Sequence, residues 1–289
     1  MSSPGSGAFS TAPLPVALHR NNIRPQTVGG TAPLPADWVA RLTGHRVRPV
    51  LIAVAHGSRD PRSAATMYAV VEQLAATRPH VDVRLAFLDL NAPSVDQVVD
   101  AVAAEGHSHA VVVPLLLGSA FHARVDLPGI LATASARHPR LHLTQADVLG
   151  PDMRLVTALR DRVLERLSGE PASRLGVAVA AVGSSSSAAN TRTAEVARRL
   201  TAVTGWDTEI CFATTEPTVV EATARLRAHG ADRVLVAPWF LAPGLLTDRL
   251  SAAATGLAHA EVIGAHPALT EIVWDRYDAA ATTTLTLSA

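Results

Sequence analysis

The 289-residue chain carries twelve histidines and 25 basic residues, and every basic residue is arginine. Without lysine there is no Schiff-base nucleophile, no phosphate-binding lysine of a P-loop and no kinase strand lysine. Histidine is then the main pool for metal binding or proton transfer near neutral pH. Two histidines stand where ligands collect. His56 heads His56-Gly57-Ser58-Arg59 directly after the apolar run Val50 to Ala55, and His122 follows Leu117-Gly118-Ser119-Ala120-Phe121 beyond another apolar run. A carboxylate, Asp89, ends a third run in Phe87-Leu88-Asp89. Each also fits a plainer role: a strand-end histidine bonded to a carbonyl, a loop histidine paired with Asp126, a turn carboxylate. Together they put three metal-capable side chains at the same ends of neighbouring elements.

Those elements follow from periodicity. Val50 to Ala55 reads as a strand buried on both faces. Ser63 to Thr77 has helical spacing behind Pro61, a residue suited to a first turn. Strands at Val81 to Leu88, Ala110 to Leu116 and Leu141 to Leu149 alternate with helices at Pro93 to Glu105, after Pro128, and from Asp152 to Leu167. Alternation of this kind predicts right-handed crossovers and a parallel sheet. Gly57 permits a tight turn, Ser58 is a candidate cap for the following helix, and free amides there are candidates to hold an anion.

After Ser168 to Pro171 the order repeats. Strands are expected at Leu175 to Val182, Thr208 to Phe212 and Val234 to Ala237, with helices at Ala188 to Val203, Pro217 to Ala228, Thr247 to Ala254 and Ala268 to Ala281. Pro93, Gly106 and Pro114 recur as Pro217, Gly230 and Pro238, one constant shift that indicates internal duplication. The expected fold is α/β: two similar domains, each a parallel sheet flanked by helices, with a ligand cleft between them at the strand C-terminal ends. Residues 47–168 form the first domain and 171–289 the second; residues 1–46, rich in Pro, Gly, Ser and Thr, are expected to be a disordered extension.

The first half resembles the small class II tetrapyrrole chelatases, the sirohydrochlorin cobaltochelatases and ferrochelatases. The resemblance rests on His56-Gly57-Ser58-Arg59, on Phe87-Leu88-Asp89 with Pro93, and on Val113-Pro114-Leu115-Leu116-Leu117 leading to His122 and Asp126-Leu127-Pro128. It implies that His56 and His122 bind a divalent metal and act in catalysis, assisted by Asp89, where family members often carry the longer glutamate. It implies Fe²⁺ or Co²⁺ as a substrate, no organic cofactor, and sirohydrochlorin as the tetrapyrrole. Fe²⁺ insertion for sirohaem is the first expectation; Co²⁺ insertion for cobalamin, or a non-catalytic tetrapyrrole- or metal-binding protein, is the alternative. Arg59, Arg124 and Ser58 are the expected contacts to substrate carboxylates, with Arg62 as much a surface charge as a contact. The second half keeps the frame with Val182-Gly183-Ser184 and Phe212-Ala213-Thr214. A single site on the first half is therefore expected, with the second half as its opposite wall.

Composition sets the remaining bounds. Twenty-five acidic residues balance the arginines, which argues against nucleic acid or an anionic membrane as partner. Cys211 is the sole cysteine, so no internal disulfide forms and a reducing, cytoplasmic setting is expected. A monomer is expected. His107, His109, His138 and His142 read as turn or surface residues, Ser184 to Ser187 as a helix cap, and Cys211 as a small buried side chain.

Overall fold

Val50–Ala55 (β1) is buried at every position, and a strand with no polar face needs neighbours on both edges and helices on both sides. In the computed structural model, which describes residues 48–118, 125–167 and 174–287, β1 is an inner strand of a parallel sheet with order β2-β1-β3-β4. The partners are β2 (Val83–Phe87), β3 (His109–Pro114) and β4 (His142–Gln145). A second sheet repeats the order as β6-β5-β7-β8, from β5 (Leu175–Ala181), β6 (Asp207–Phe212), β7 (Arg233–Pro238) and β8 (Ala258–His259). The helices are α1 (Pro61–Thr77), α2 (Val95–Ala104), α3 (Leu127–Arg137) and α4 (Met153–Leu167), then α5 (Ser187–Thr204), α6 (Val219–Ala228), α7 (Leu245–Ala253) and α8 (Pro267–Leu287). The α/β class and the two similar sheets are as expected. The expectation for residues 1–46 and those for His122 and Arg124 fall outside the described residues.

The duplication extends to local hydrogen bonding. Ser94 and Gln97 form a capping box at the start of α2, and Thr218 and Glu221 form its counterpart on α6. Pro93 and Pro217 both follow cis peptide bonds, and their carbonyls accept from Phe87 N–H at 2.9 Å and Phe212 N–H at 2.8 Å. Each reciprocal cap satisfies two amides that a helix start would otherwise leave unpaired.

Residue alternation divides the interior into three cores rather than one per half. On β1, Val50, Ile52 and Val54 pack with α2 and α3, whereas Leu51, Ala53 and Ala55 join Val177, Val179 and Ala181 of β5 in one continuous inner core. Ala178 and Ala180 face the outer helices of the second half. The helices over the inner core are exchanged: α4 packs on β7 and α5, while α8 packs on β3, β4 and α1. Polar contacts fix α8 in place. Trp274 Nε1–H donates to Thr77 Oγ1 at 2.9 Å, Tyr277 O–H donates to the Pro49 carbonyl at 2.7 Å, and Arg78 pairs with Asp278 at 2.8 Å. Periodicity identifies the apolar face of such a helix but not the sheet that receives it.

Two histidines tie stability to pH. His259, in β8, and His266, just before α8, are held below the ordinary imidazole value of 6.5, chiefly by burial, with Arg166 and Arg162 adding repulsion. The unfolded chain then takes up more protons than the folded one once the pH drops below 6.5, so this contribution is complete above 6.5 and is lost on acidification. Melting temperature is expected to fall between pH 7.5 and pH 5.5, and a His259→Phe, His266→Phe double variant is expected to flatten that slope. An unchanged slope in the double variant would refute the assignment.

Candidate functional site

The site is built where β1 and β2 end. After Ala55 the chain turns through Gly57, whose φ of +95° lies in the left-handed region that glycine tolerates. The β2 loop lies on this turn: Leu88 N–H donates to the Ala55 carbonyl at 2.9 Å and Asp89 N–H to the His56 carbonyl at 3.0 Å. Ser58 N–H donates to Asn91 Oδ1 at 2.7 Å, and Asp89 Oδ1 accepts from Leu90 N–H at 2.8 Å. Leu90 itself has φ +64°, a left-handed conformation that is costly for a side chain of its kind. Two loops 33 residues apart are thereby held as one unit.

His56 and Asp89 are both exposed and line one cavity of about 660 Å³. The cavity is lined also by Asp96 of α2, by Gly129, Ile130, Thr133 and Arg137 of α3, and by Val125 and Asp126 just before α3. Among the described residues, Asp89, Asp96 and Asp126 outnumber one guanidinium, Arg137, which pairs with Asp96 at 2.6 Å. A lining with this charge balance attracts cations. The His56 Nδ1–H donates to the Gly57 carbonyl at 3.2 Å, in the tautomer that gives Nε2 the lone pair. Ligating histidines are commonly oriented by such a bond through the other ring nitrogen.

Several expectations change here. Ser58 does not cap α1. Asp60 does, its carboxylate accepting from Arg62 N–H at 2.9 Å, while Ser58 Oγ accepts from Asp60 N–H at 3.1 Å. The first turn of α1 is therefore already satisfied by a carboxylate and does not offer its amides to an anion. Arg62 is not an unpaired surface charge: it forks onto Asp60 and reaches Asp248 at the start of α7 at 2.6 Å. The arginine beside Asp60 holds that carboxyl below the usual range. Arg59, three residues after His56, is exposed. Asn91, which locks the two loops together, went unnoticed in the sequence; an amide residue just beyond a strand end was its only signal.

The second half approaches this loop directly. A Cβ built on Gly244 would lie 3.8 Å from Ser58 Oγ and 3.9 Å from Asp60 Cβ. Among the described residues, however, the cavity holding His56 and Asp89 draws all of its lining from the first half. The equivalent turn of the second half keeps the frame and changes the chemistry. Gly183 has φ +91°, Thr214 N–H donates to the Val182 carbonyl at 3.1 Å, and Ser184 N–H donates to Asn190 Oδ1 at 2.8 Å. Val182, 45% exposed, thus occupies the place of His56, and Thr214 that of Asp89.

Other groups with chemical potential are accounted for. Among the described residues, Asp82, Glu105 and His107 bring three metal-capable atoms together, at the opposite ends of the strands. Arg84 already occupies that cluster, bonding Asp82 at 2.7 Å and Glu105 at 2.7 Å. Ser186 caps α5, in line with the reading of the serine run. Cys211 is buried, and desolvation pushes its thiol up to about 12, which leaves it inert as a nucleophile.

A model of the CbiX family matches residues 50–166 and again 176–280. A sirohydrochlorin cobaltochelatase of Priestia megaterium is 30% identical over 218 residues, covering 72% of this chain and 68% of its own. A sirohydrochlorin ferrochelatase of the same organism is 26% identical over 235 residues, covering 77% and 87%. Among solved structures, SirB from Bacillus subtilis with Fe³⁺ superposes with a TM-score of 0.69 at 23% identity, over 83% of this chain and 98% of that one. No described helix is long and apolar enough to cross a membrane.

Proposed function

This chain belongs to the CbiX family, and from that premise we propose that it is a sirohydrochlorin chelatase, a lyase that inserts a divalent metal into the macrocycle. Fe²⁺ is the favoured ion and sirohaem the product; Co²⁺, leading to cobalamin, is the alternative. The observation that carries the reading is the convergence of His56 and Asp89 on one acidic cavity at the strand ends of the half that carries the chelatase motifs. The enzyme is taken to be a cytoplasmic monomer with no organic cofactor and no nucleic-acid or membrane partner.

Insertion requires an ion held firmly enough to shed water and loosely enough to be handed to four ring nitrogens. A closed four-ligand site would retain it. His56 and His122 supply two neutral imidazoles and Asp89 a carboxylate that orients or neutralises the ion, leaving coordination positions open to the incoming ring. As the ion enters, two pyrrole N–H protons leave; an imidazole released from the metal, or Asp89, accepts one of them and solvent water takes up the other. Arg59, Arg124 and Ser58 hold the peripheral carboxylates of the substrate, the arginines through bidentate pairing. The N/O donor set does not by itself choose the metal, because affinity follows the general order of the first-row ions.

The test is insertion followed by absorption spectroscopy, with sirohydrochlorin and Fe²⁺, Co²⁺ or Ni²⁺ compared side by side. Turnover with Fe²⁺ or Co²⁺ supports the reading. Binding of the macrocycle with no acceleration of insertion by any of the three would replace it with a carrier role.

A further inference from the structure

His109 and His142, expected as turn or surface residues, both lie in strands, His109 opening β3 and His142, which is exposed, opening β4. They are direct partners in the parallel register, and their ring centroids stand 5.8 Å apart with the rings tilted by 59°. Two imidazoles sharing a tetrahedral ion at metal–nitrogen bonds of about 2.0–2.1 Å have centroids about 5 Å apart. The observed spacing is under 1 Å wider than this, and His142 is exposed. Ser108 supplies the remaining part: its Oγ lies 3.0 Å from His109 Nδ1. Accepting the Nδ1–H leaves His109 Nε2 with the lone pair, the kind of outer hydrogen bond that orients ligating histidines. The pair opens onto a depression of about 470 Å³ lined also by Ser135, Pro139 and Arg140, which has room for water or a small anion to complete the coordination.

We propose that His109 and His142 form a second, peripheral binding site for a late first-row divalent cation such as Zn²⁺, Ni²⁺ or Cu²⁺, the ions that suit imidazole donors. The site lies at the N-terminal end of β3 and the His56 site beyond the C-terminal end of β1, about 23 Å away along the sheet by the β1–β3 register. One ion therefore cannot be shared between them. Arg140 is the charged group in the lining, so an anionic ligand is favoured at the open positions. In the fold the ion would staple β4, a four-residue edge strand, to its neighbour.

Zn²⁺ titration of the full chain by calorimetry tests this, comparing the parent with His109→Ala, His142→Ala and the double variant. The double variant is expected to bind one Zn²⁺ equivalent fewer than its parent, both in the unaltered chain and in a His56→Ala background, while metal insertion into sirohydrochlorin is unchanged. His142→Ala, at an exposed position, and the conservative His109→Gln guard against a folding defect, and each should weaken the site at least tenfold. Slowed amide exchange in residues 142–145 on adding Zn²⁺, absent from the double variant, would locate the ion. Equal stoichiometry in parent and double variant overturns the proposal. So does inorganic phosphate binding that depends on these histidines while Zn²⁺ binding does not, since the pocket is then an anion site. Neither result bears on the chelatase reading, which rests on different residues.

Discussion

His56→Ala is expected to reduce metal insertion by at least ~10²-fold, the scale on which single acid–base or ligand groups act, while changing unfolding stability by no more than about 0.5 kcal/mol. The separation follows from where the side chain sits. His56 is exposed just past the end of a strand whose six residues are all buried, and its ring bonds to the neighbouring Gly57 carbonyl. The bonds that hold the turn, Asp89 N–H to the His56 carbonyl and Ser58 N–H to Asn91, use the backbone of residue 56 or bypass it. Alanine keeps them all. Steady-state insertion rates paired with urea unfolding curves check both parts. Insertion within tenfold of the parent would remove His56 from the ligand set, whatever the stability shows. The same substitution at His122 is expected to be equally damaging.

How much of this was legible in the sequence depended on whether the determining interaction was local. β1 was read at its observed bounds because a continuous apolar run has a single use in a parallel sheet. β4 is shorter than expected: the expected strand runs from Leu141 to Leu149, but pairing with β3 stops at Gln145, opposite Val112 and two residues before β3 itself ends. β8 was missed, since two residues are too few to show any period. His56 and Asp89 were recognisable as strand-end polar groups, whereas the bond from Ser58 to Asn91 spans 33 positions and leaves no periodic trace. The cap was misassigned between Ser58 and Asp60 for a similar reason. Both are good caps, and the choice between them depends on where the left-handed turn at Gly57 delivers the chain.

The exchange of α4 and α8 bears on function through rigidity. Chelation needs the His56 loop and the β2 loop to keep their geometry while a large ring enters and leaves. Underneath them, Ala55, Phe87 and Leu115 belong to the inner core that β5, α4 and α8 also build. The strand ends that carry the site are thus anchored by helices from both halves, and Arg62 adds a surface tie to Asp248. Sites whose supporting elements are locked by packing hold their groups more closely than sites on free loops.

Gly57→Ala and Gly183→Ala form a matched pair that separates fold from site. Both glycines have φ near +90°, so alanine at either costs about 1–2 kcal/mol in backbone conformation alone. Their surroundings differ. At Gly183 an added Cβ meets atoms of Thr214, Thr215 and Phe212 at 2.9–3.0 Å, and the two threonine side chains can give way. At Gly57 the same Cβ would lie 1.8 Å from the Asp89 carbonyl oxygen, a backbone atom. That carbonyl must retreat by more than an ångström, carrying Asp89 away from His56 and straining the bond that Ser58 N–H donates to Asn91 Oδ1. Displacements of about 1 Å at a reacting centre can cost ~10²-fold in rate. Both variants are expected to be destabilised, Gly57→Ala the more severely, but only Gly57→Ala should lose insertion activity per folded molecule. The measurement is insertion rate normalised to the folded fraction, taken at a temperature where circular dichroism shows both variants native. Near-normal normalised activity in Gly57→Ala would mean that the Asp89 loop can move without consequence, and Asp89 would then have no part in handling the metal.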